Sequence, residues 1–463
     1  MARCSPLRLA ILIPLILLAA GRARAGGGLL CGSAGDEFVA ARAGLRREWV
    51  IQIPFDSAGR QLESVTAGDD VVVACSSDGG VHAVQAAASA AGQPRPGSLL
   101  WSKRVGRPGG LGQSAGVGTS LVTVARDLDV HAFDAQTGVL RWTCPLGHAS
   151  AAAAVPAGDN VYCPMSDDGL VRLPADLHGV VPLADANGQE LDTSSPIEQP
   201  PVPFSVGDPP RVGAVWINDE GRVIAEAPNT RDRWNVWSFD TRLPGETAAE
   251  PAGPPAVRGD TIYVATRSGR LEALRPSPSS GGDLERAWMQ PVFLPGVPES
   301  GPVVAGDRVI VSLGDEGIVA YSATPDDLAS RLALQADQSR DNADARQDQD
   351  VDAAPATPAA VARTGLLWRT PCGVGGRMVA VVGERVWFVD AVGRLASVDL
   401  ATGEPRECLP LGGFTLPVKN QGGDRLVLAS PDGLLVSLAP RRTVTAVPDA
   451  AAPGAADPAA TPR

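Results

Sequence analysis

Two turn signatures recur along the chain, short β-branched runs follow them, and six of the seven intervals between successive corners span 40 to 52 residues. Together these predict an all-β fold: an eight-bladed β-propeller of four-stranded antiparallel blades, closed by an N-terminal strand that completes the last blade. Glycine (52) and proline (41) are abundant while aromatics are only 4%, which suits many short strands and tight turns better than long helices. A length of 463 residues would allow two or three average domains, but one period running through the chain argues for a single repeat architecture.

The first element is an expected export signal over residues 1–25. Arg3 and Arg8 supply a positive start, Leu9 to Ala20 an apolar run too short for a membrane span, and Ala23-Arg24-Ala25 a small-x-small cleavage site before Gly26. Leu29 and Leu30 stand before Cys31 where lipid attachment wants small residues, so plain cleavage is favoured over a lipid anchor on Cys31. The expected location is the periplasm or the outside. Losing residues 1–25 removes four arginines and no acid, moving the net charge from −12 to −16. So acidic a chain repels phosphate backbones, which argues against nucleic acid as a partner. No other apolar run reaches membrane-spanning length. Six cysteines remain, Cys31, Cys75, Cys144, Cys163, Cys372 and Cys408, none in C-x-x-C spacing. Disulfides and buried free thiols both stay open.

Residues 26–45 read as a linker and 46–440 as the propeller. The first repeated device is Gly-Asp or a variant before a β-branched run, as at Gly68-Asp69, Gly158-Asp159, Gly259-Asp260, Gly306-Asp307, Gly383-Glu384 and Gly423-Asp424. Glycine tolerates positive φ and aspartate caps its own turn, so each marks a hairpin corner. The second device falls about ten residues later, at Gly80, Asp129, Gly169, Gly221, Gly269, Gly317, Gly393 and Gly433, with spacings of 49, 40, 52, 48, 48, 76 and 40. Eight corners give eight blades of strands A to D. The 76-residue interval contains residues 323–363, rich in Asp, Gln, Ala and Pro, with almost no large apolar residue after Leu334. That stretch is expected to be a disordered insertion between strands C and D of blade six, and the Ala/Pro-rich residues 441–463 a disordered tail. Blade eight runs out of sequence before its D strand, and Arg47-Glu48-Trp49-Val50-Ile51-Gln52-Ile53 has the pattern to supply it.

In blade two the chain reads Ala132-Phe133-Asp134-Ala135-Gln136-Thr137-Gly138-Val139-Leu140-Arg141-Trp142. Asp134 and Thr137 can accept backbone N–H groups in the turn, Gly138 supplies a left-handed corner, and Trp142 is placed to pack between blades. Burying an indole removes ~150–250 Å² from water, worth up to ~4–6 kcal/mol. Blade seven keeps Asp399, Thr402 and Gly403 but has Glu407 where the tryptophan would stand. Trp101, Trp288 and Trp368 occupy strand D of blades one, five and six, and Trp49 belongs to the closing strand. This A-x-D-x-x-T-G-x-x-x-W pattern resembles the tryptophan-docking motif of the PQQ-like (quinoprotein-type) propeller family, and the resemblance covers most of the chain at falling fidelity.

The resemblance implies a scaffold that in its catalytic members holds a quinone against two adjacent cysteines, with calcium bound by Glu, Asn and Asp. No two cysteines are adjacent here, so it implies the fold without the cofactor. His82, His131, His148 and His178 lack metal-ligand spacing, and Asp348-Gln349-Asp350-Val351-Asp352 lacks the glycine and final glutamate of a calcium loop. No nucleophile elbow or P-loop is present. No catalytic residue, cofactor or metal is therefore expected. The one candidate binding face is Trp234-Asn235-Val236-Trp237, read as two indoles on one side of a strand, with Arg231 and Arg233 before it. The expected function is an exported, non-catalytic, monomeric scaffold of the BamB-like branch, binding an envelope or extracellular protein. The alternatives are a quinoprotein dehydrogenase with a degenerate site, and a sensor of small ligands.

Overall fold

A computed structural model describes residues 30–55, 60–87, 94–167, 169–229, 233–277, 282–288, 290–324, 365–370, 377–420 and 424–441. They form eight antiparallel-dominated sheets in a ring, the predicted eight-bladed propeller. Blade 1 runs through Leu62–Ala67, Val71–Ser76, Gly80–Gln85 and Leu99–Arg104, and blade 2 through Gly116–Val117, Leu121–Arg126, Asp129–Asp134 and Leu140–Pro145. Blades 3 to 7 repeat the meander, ending on outer strands Gln189–Asp192, Trp234–Asp240, Leu284–Arg286, Leu366–Thr370 and Pro405–Pro410.

The A strands of neighbouring blades touch one another, as expected for strands nearest the axis. The B and C strands are covered on both faces by adjacent blades. That is why Val71–Ser76 and Gly80–Gln85 are buried throughout, whereas the outer strand Leu140–Pro145 mixes exposed and buried positions. The Gly-Asp corners at Gly68, Gly158, Gly259, Gly306 and Gly383 are the A–B turns. The second set of corners joins B to C, at the same end of the strands as the D–A connections.

The ring closes twice. Leu45–Gln52 adds antiparallel to Leu434–Pro440 as the outer strand of blade 8, from Leu45 opposite Pro440 to Gln52 opposite Leu434, with a bulge between Arg47 and Trp49. Glu48 then meets Arg425 at 2.8 Å. At the axis, Val418–Asn420 pairs in parallel with Leu62–Ala67 of blade 1.

The span 26–45, read as a linker, is structured from Leu30 onward. The helix Glu37–Arg42 is capped by Asp36, whose side chain accepts from the Phe38 N–H at 2.9 Å. Ala34, Ala40 and Ala43 are buried against Leu411, Phe414 and Leu438. The Ala34 N–H donates to the Pro410 carbonyl at 2.6 Å, fixing the segment beside blade 7. In blade 6, Ile318–Ser322 pairs with Leu366–Thr370, with Ala320 opposite Trp368. Residues 325–364, most of the expected insertion, lie outside the described residues, as do residues 1–29 and 442–463.

Candidate functional site

The tryptophans act between blades. Trp101 stands opposite Ala83 in blade 1, and its indole N–H donates to the carbonyl of Ala135 in blade 2 at 2.9 Å. Trp49 donates to Ala86 at 3.0 Å, Trp142 to Ala175 at 3.1 Å and Trp368 to Leu400 at 2.9 Å. Each acceptor is the residue directly after strand C of the next blade.

The Asp-Thr-Gly turn is therefore a seat for the preceding blade's indole, and its own blade's tryptophan reaches forward instead. Asp134 accepts the Thr137 N–H at 2.9 Å and hydroxyl at 2.8 Å, and Asp399 accepts the same groups of Thr402 at 3.0 and 3.2 Å. Gly138 (φ +65°) and Gly403 (φ +72°) lie in the left-handed region, and a Cβ at either would run into the indole of Trp101 or Trp368. Arg141 on Asp134, at 2.5 Å, and the Thr137 bonds hold the Asp134 carboxyl down to about 2. Ala132 forms part of the core that buries Trp142.

Trp288 packs on Tyr263 at 5.8 Å between ring centroids, and its N–H has no acceptor among the described residues. At that interface the Tyr263 hydroxyl makes the forward bond, to the Ala323 carbonyl at 2.7 Å. Sequence reasoning missed this substitution. The acceptor again follows strand C directly, which is the one signal that could have found it.

The expected pair of indoles on one face is corrected. Residues three apart on a strand point to opposite sides, and the two tryptophans do. Trp237 is buried with Phe204, Ile262 and Leu274 toward blade 5. Trp234 faces blade 3 beneath the guanidinium of Arg172, 3.5 Å from the ring centre. Arg233 is exposed and its backbone N–H donates to the Asn229 side chain at 3.1 Å, while Arg231 lies outside the described residues. Trp234, Trp237 and Arg233 do not form a single patch.

Trp234 instead covers a buried polar cluster. Arg172 binds Glu226 at 2.7 Å across the blade 3–4 interface and also holds Gln189; Glu226 is 1% exposed. Burial pushes the Glu226 carboxyl up and Arg172 pulls it back. Tyr162 and Trp216 lie nearby with their rings tilted at 37° and 6.2 Å between centroids. Blade 3 has no tryptophan on its outer strand, and this ion pair occupies the corresponding interface.

His82 and His131 bond Ser102 and Thr143 at 2.9 and 3.0 Å, and burial holds both below the ordinary histidine value. Burial pushes the Cys75 and Cys144 thiols up to about 11 and Cys163 to about 12, so these are inert; Cys31 and Cys408 are free and exposed. Among the described residues, no three His, Cys, Asp or Glu side chains are grouped to hold a metal, and no helix is long and apolar enough to cross a membrane.

Large aliphatic side chains nevertheless reach solvent at the end of the ring that carries the B–C and D–A loops. Leu111, Leu128, Val297 and Val392 are 51 to 78% exposed there, with Arg107, Arg267 and Arg394 at the same end.

The family profile described as outer membrane protein assembly factor BamB matches residues 90–180 and 211–342. The crystal structure of BamB from Moraxella catarrhalis is similar over 85% of this chain and 97% of that one, at a TM-score of 0.56 and 18% identity. Sqt1 from Saccharomyces cerevisiae is similar over 83% of this chain and 97% of its own, at 0.51 and 9%. At such identities these structures speak to the fold alone. No curated protein sequence matches. The repeat, the ring of eight blades and the profile match over those two stretches support a PQQ-like β-propeller family.

Proposed function

We propose that the protein is an exported, non-catalytic scaffold that binds a partner protein of the cell envelope through the B–C and D–A loop end of its ring. The observation that carries this reading is the set of exposed aliphatic residues there, Leu111, Leu128, Val297 and Val392, interleaved with arginines. Exposed aliphatics at one end of the ring offer apolar surface that a partner can cover, and arginine is enriched at protein interfaces. The match to a family named for outer membrane protein assembly supports the envelope setting. The buried thiols and the histidines engaged within their own sheets support a structural rather than a chemical use of these groups.

The test is a photo-crosslinking amino acid placed in living cells at Leu111 or Val392, with Val212 at the opposite end as the control. A discrete adduct from the first pair, lost on Leu111→Asp or Val392→Asp, is expected. Equal labelling from both ends would refute the reading. Purified protein supplied with quinone and calcium should show no dye-linked alcohol oxidation.

A further inference from the structure

A second surface lies at the rim. Blades 1 and 2 part there to leave a cleft of about 310 Å³, lined among the described residues by Lys103, Arg104, Val105 and Gly106 on one side and by His131, Phe133, Leu140 and Thr143 on the other; the Arg104 guanidinium is already held by Asp78 at 2.6 Å. Three features set it apart. First, no carboxylate lines it, in a chain whose net charge is −12. Second, Lys103 is one of only two lysines in the chain; it is exposed and has no carboxylate partner among the described residues, whereas Lys419 donates to the Ser114 hydroxyl at 2.8 Å. Strand alternation turns Lys103 to the same side as Trp101 and Val105, toward blade 2. Third, the apolar wall is open to water, with Leu140 50% and the adjoining Val139 60% exposed.

The outer edge of blade 2 is already occupied. Gly179–Val180 pairs in parallel with Trp142 and Thr143, and the Val181 N–H donates to the Thr143 carbonyl at 3.0 Å. A partner meeting this rim is therefore directed into the cleft between blades rather than onto that edge.

We propose that this cleft is a docking groove for an extended acidic–aliphatic segment of a partner protein, with a carboxylate set against Lys103 and an aliphatic side chain against Val105, Phe133 and Leu140. Charge complementarity selects the acid, because Lys103 presents an ammonium beside an apolar wall while the guanidinium of the neighbouring Arg104 is taken by Asp78. The wall selects the aliphatic neighbour. An aromatic or basic segment would bring no matching charge and would leave the ammonium unpaired.

The experiment uses the full mature chain and a fluorescein-labelled peptide in which glutamates adjoin leucines, read by fluorescence anisotropy. The same peptide with lysine for glutamate is the control. The acidic probe should bind with a Kd of about 10–100 µM, as befits one short segment in a small groove. Lys103→Glu and Leu140→Asp, both at exposed side chains and expected to leave the thermal transition unchanged, should each weaken it by about tenfold or more. Bound probe should also protect Lys103 from amine-selective labelling while leaving Lys419 unaffected. Equal binding of the basic probe, indifference to both substitutions, or no binding at about 1 mM would overturn the proposal. So would concentration-dependent dimerisation abolished by Leu140→Asp, which would assign the groove to a second copy of the chain. None of these outcomes bears on the loop end.

Discussion

At the scale of single residues, the turn Asp134–Gly138 shows how one carboxylate does two jobs. One oxygen of Asp134 ties the turn through Thr137, and the other holds Arg141. Asp399 repeats the arrangement with Thr402 and Arg406, the ion pair at 3.0 Å. The Asp134 carboxyl is held at about 2, chiefly by Arg141, against an ordinary value of 3.8. A carboxyl depressed in the folded state stabilises the fold above its unfolded value and loses that contribution as pH falls from about 4 toward about 2. Because the pair is partly solvated, the contribution is on the order of 1 kcal/mol. Urea midpoints measured between pH 3 and 7 should show Asp134→Asn less stable at neutral pH, with the gap to the parent narrowing as the solution is acidified.

This turn and its glycine were legible in the sequence because their chemistry is local. Which indole occupies the seat was not, because Trp101 and Ala135 are 34 residues apart and nothing in the spacing says that the tryptophan reaches forward. The pairing of Trp234 with Trp237 failed for a simpler reason. A strand turns over every residue, so a separation of three cannot leave two side chains on one face.

Between elements, the eight interfaces do not all use the same joint. Four are joined by an indole and a carbonyl, one by the Tyr263 hydroxyl, and the blade 3–4 interface by the Arg172–Glu226 pair under Trp234. A buried ion pair contributes little net stability over apolar packing, but removing one partner strands the other charge. Glu226→Ala should therefore cost about 3–5 kcal/mol, while the double change Arg172→Met with Glu226→Leu should recover most of that loss. Thermal unfolding of the two variants checks this, and equal destabilisation would show that the ion pair itself, rather than the stranding of one charge, carries the stability. Such a joint is hard to anticipate from sequence, since an arginine and a glutamate 54 residues apart look like surface residues until neighbouring blades enclose them.

Over the whole molecule, the blade count and the closing strand were readable because period and alternation survive even where individual motifs erode. The Leu30–Ala43 segment was not, because its burial depends on alanines meeting a surface formed by blades 7 and 8. A chain beginning at residue 55 should lose its cooperative thermal transition and bind a synthetic peptide spanning Leu45–Ile53, restoring the transition. Undiminished stability of the shortened chain would contradict the role of that strand. Trp49 alone, buried and bonded to Ala86, represents about 3–5 kcal/mol of the loss.

The latch also orders events in time. Glu48 and Ser437, neighbours in blade 8, are 389 residues apart in sequence. The first strand to be synthesised must wait, unpaired and with Trp49 uncovered, until nearly the entire polypeptide has followed it. Seven blades can stack in succession as they emerge, but the circle has no complete circumference until the end. A chain stalled short of blade 8 would carry two sticky sheet margins, so premature release is the stage at which this architecture is most exposed to misassociation.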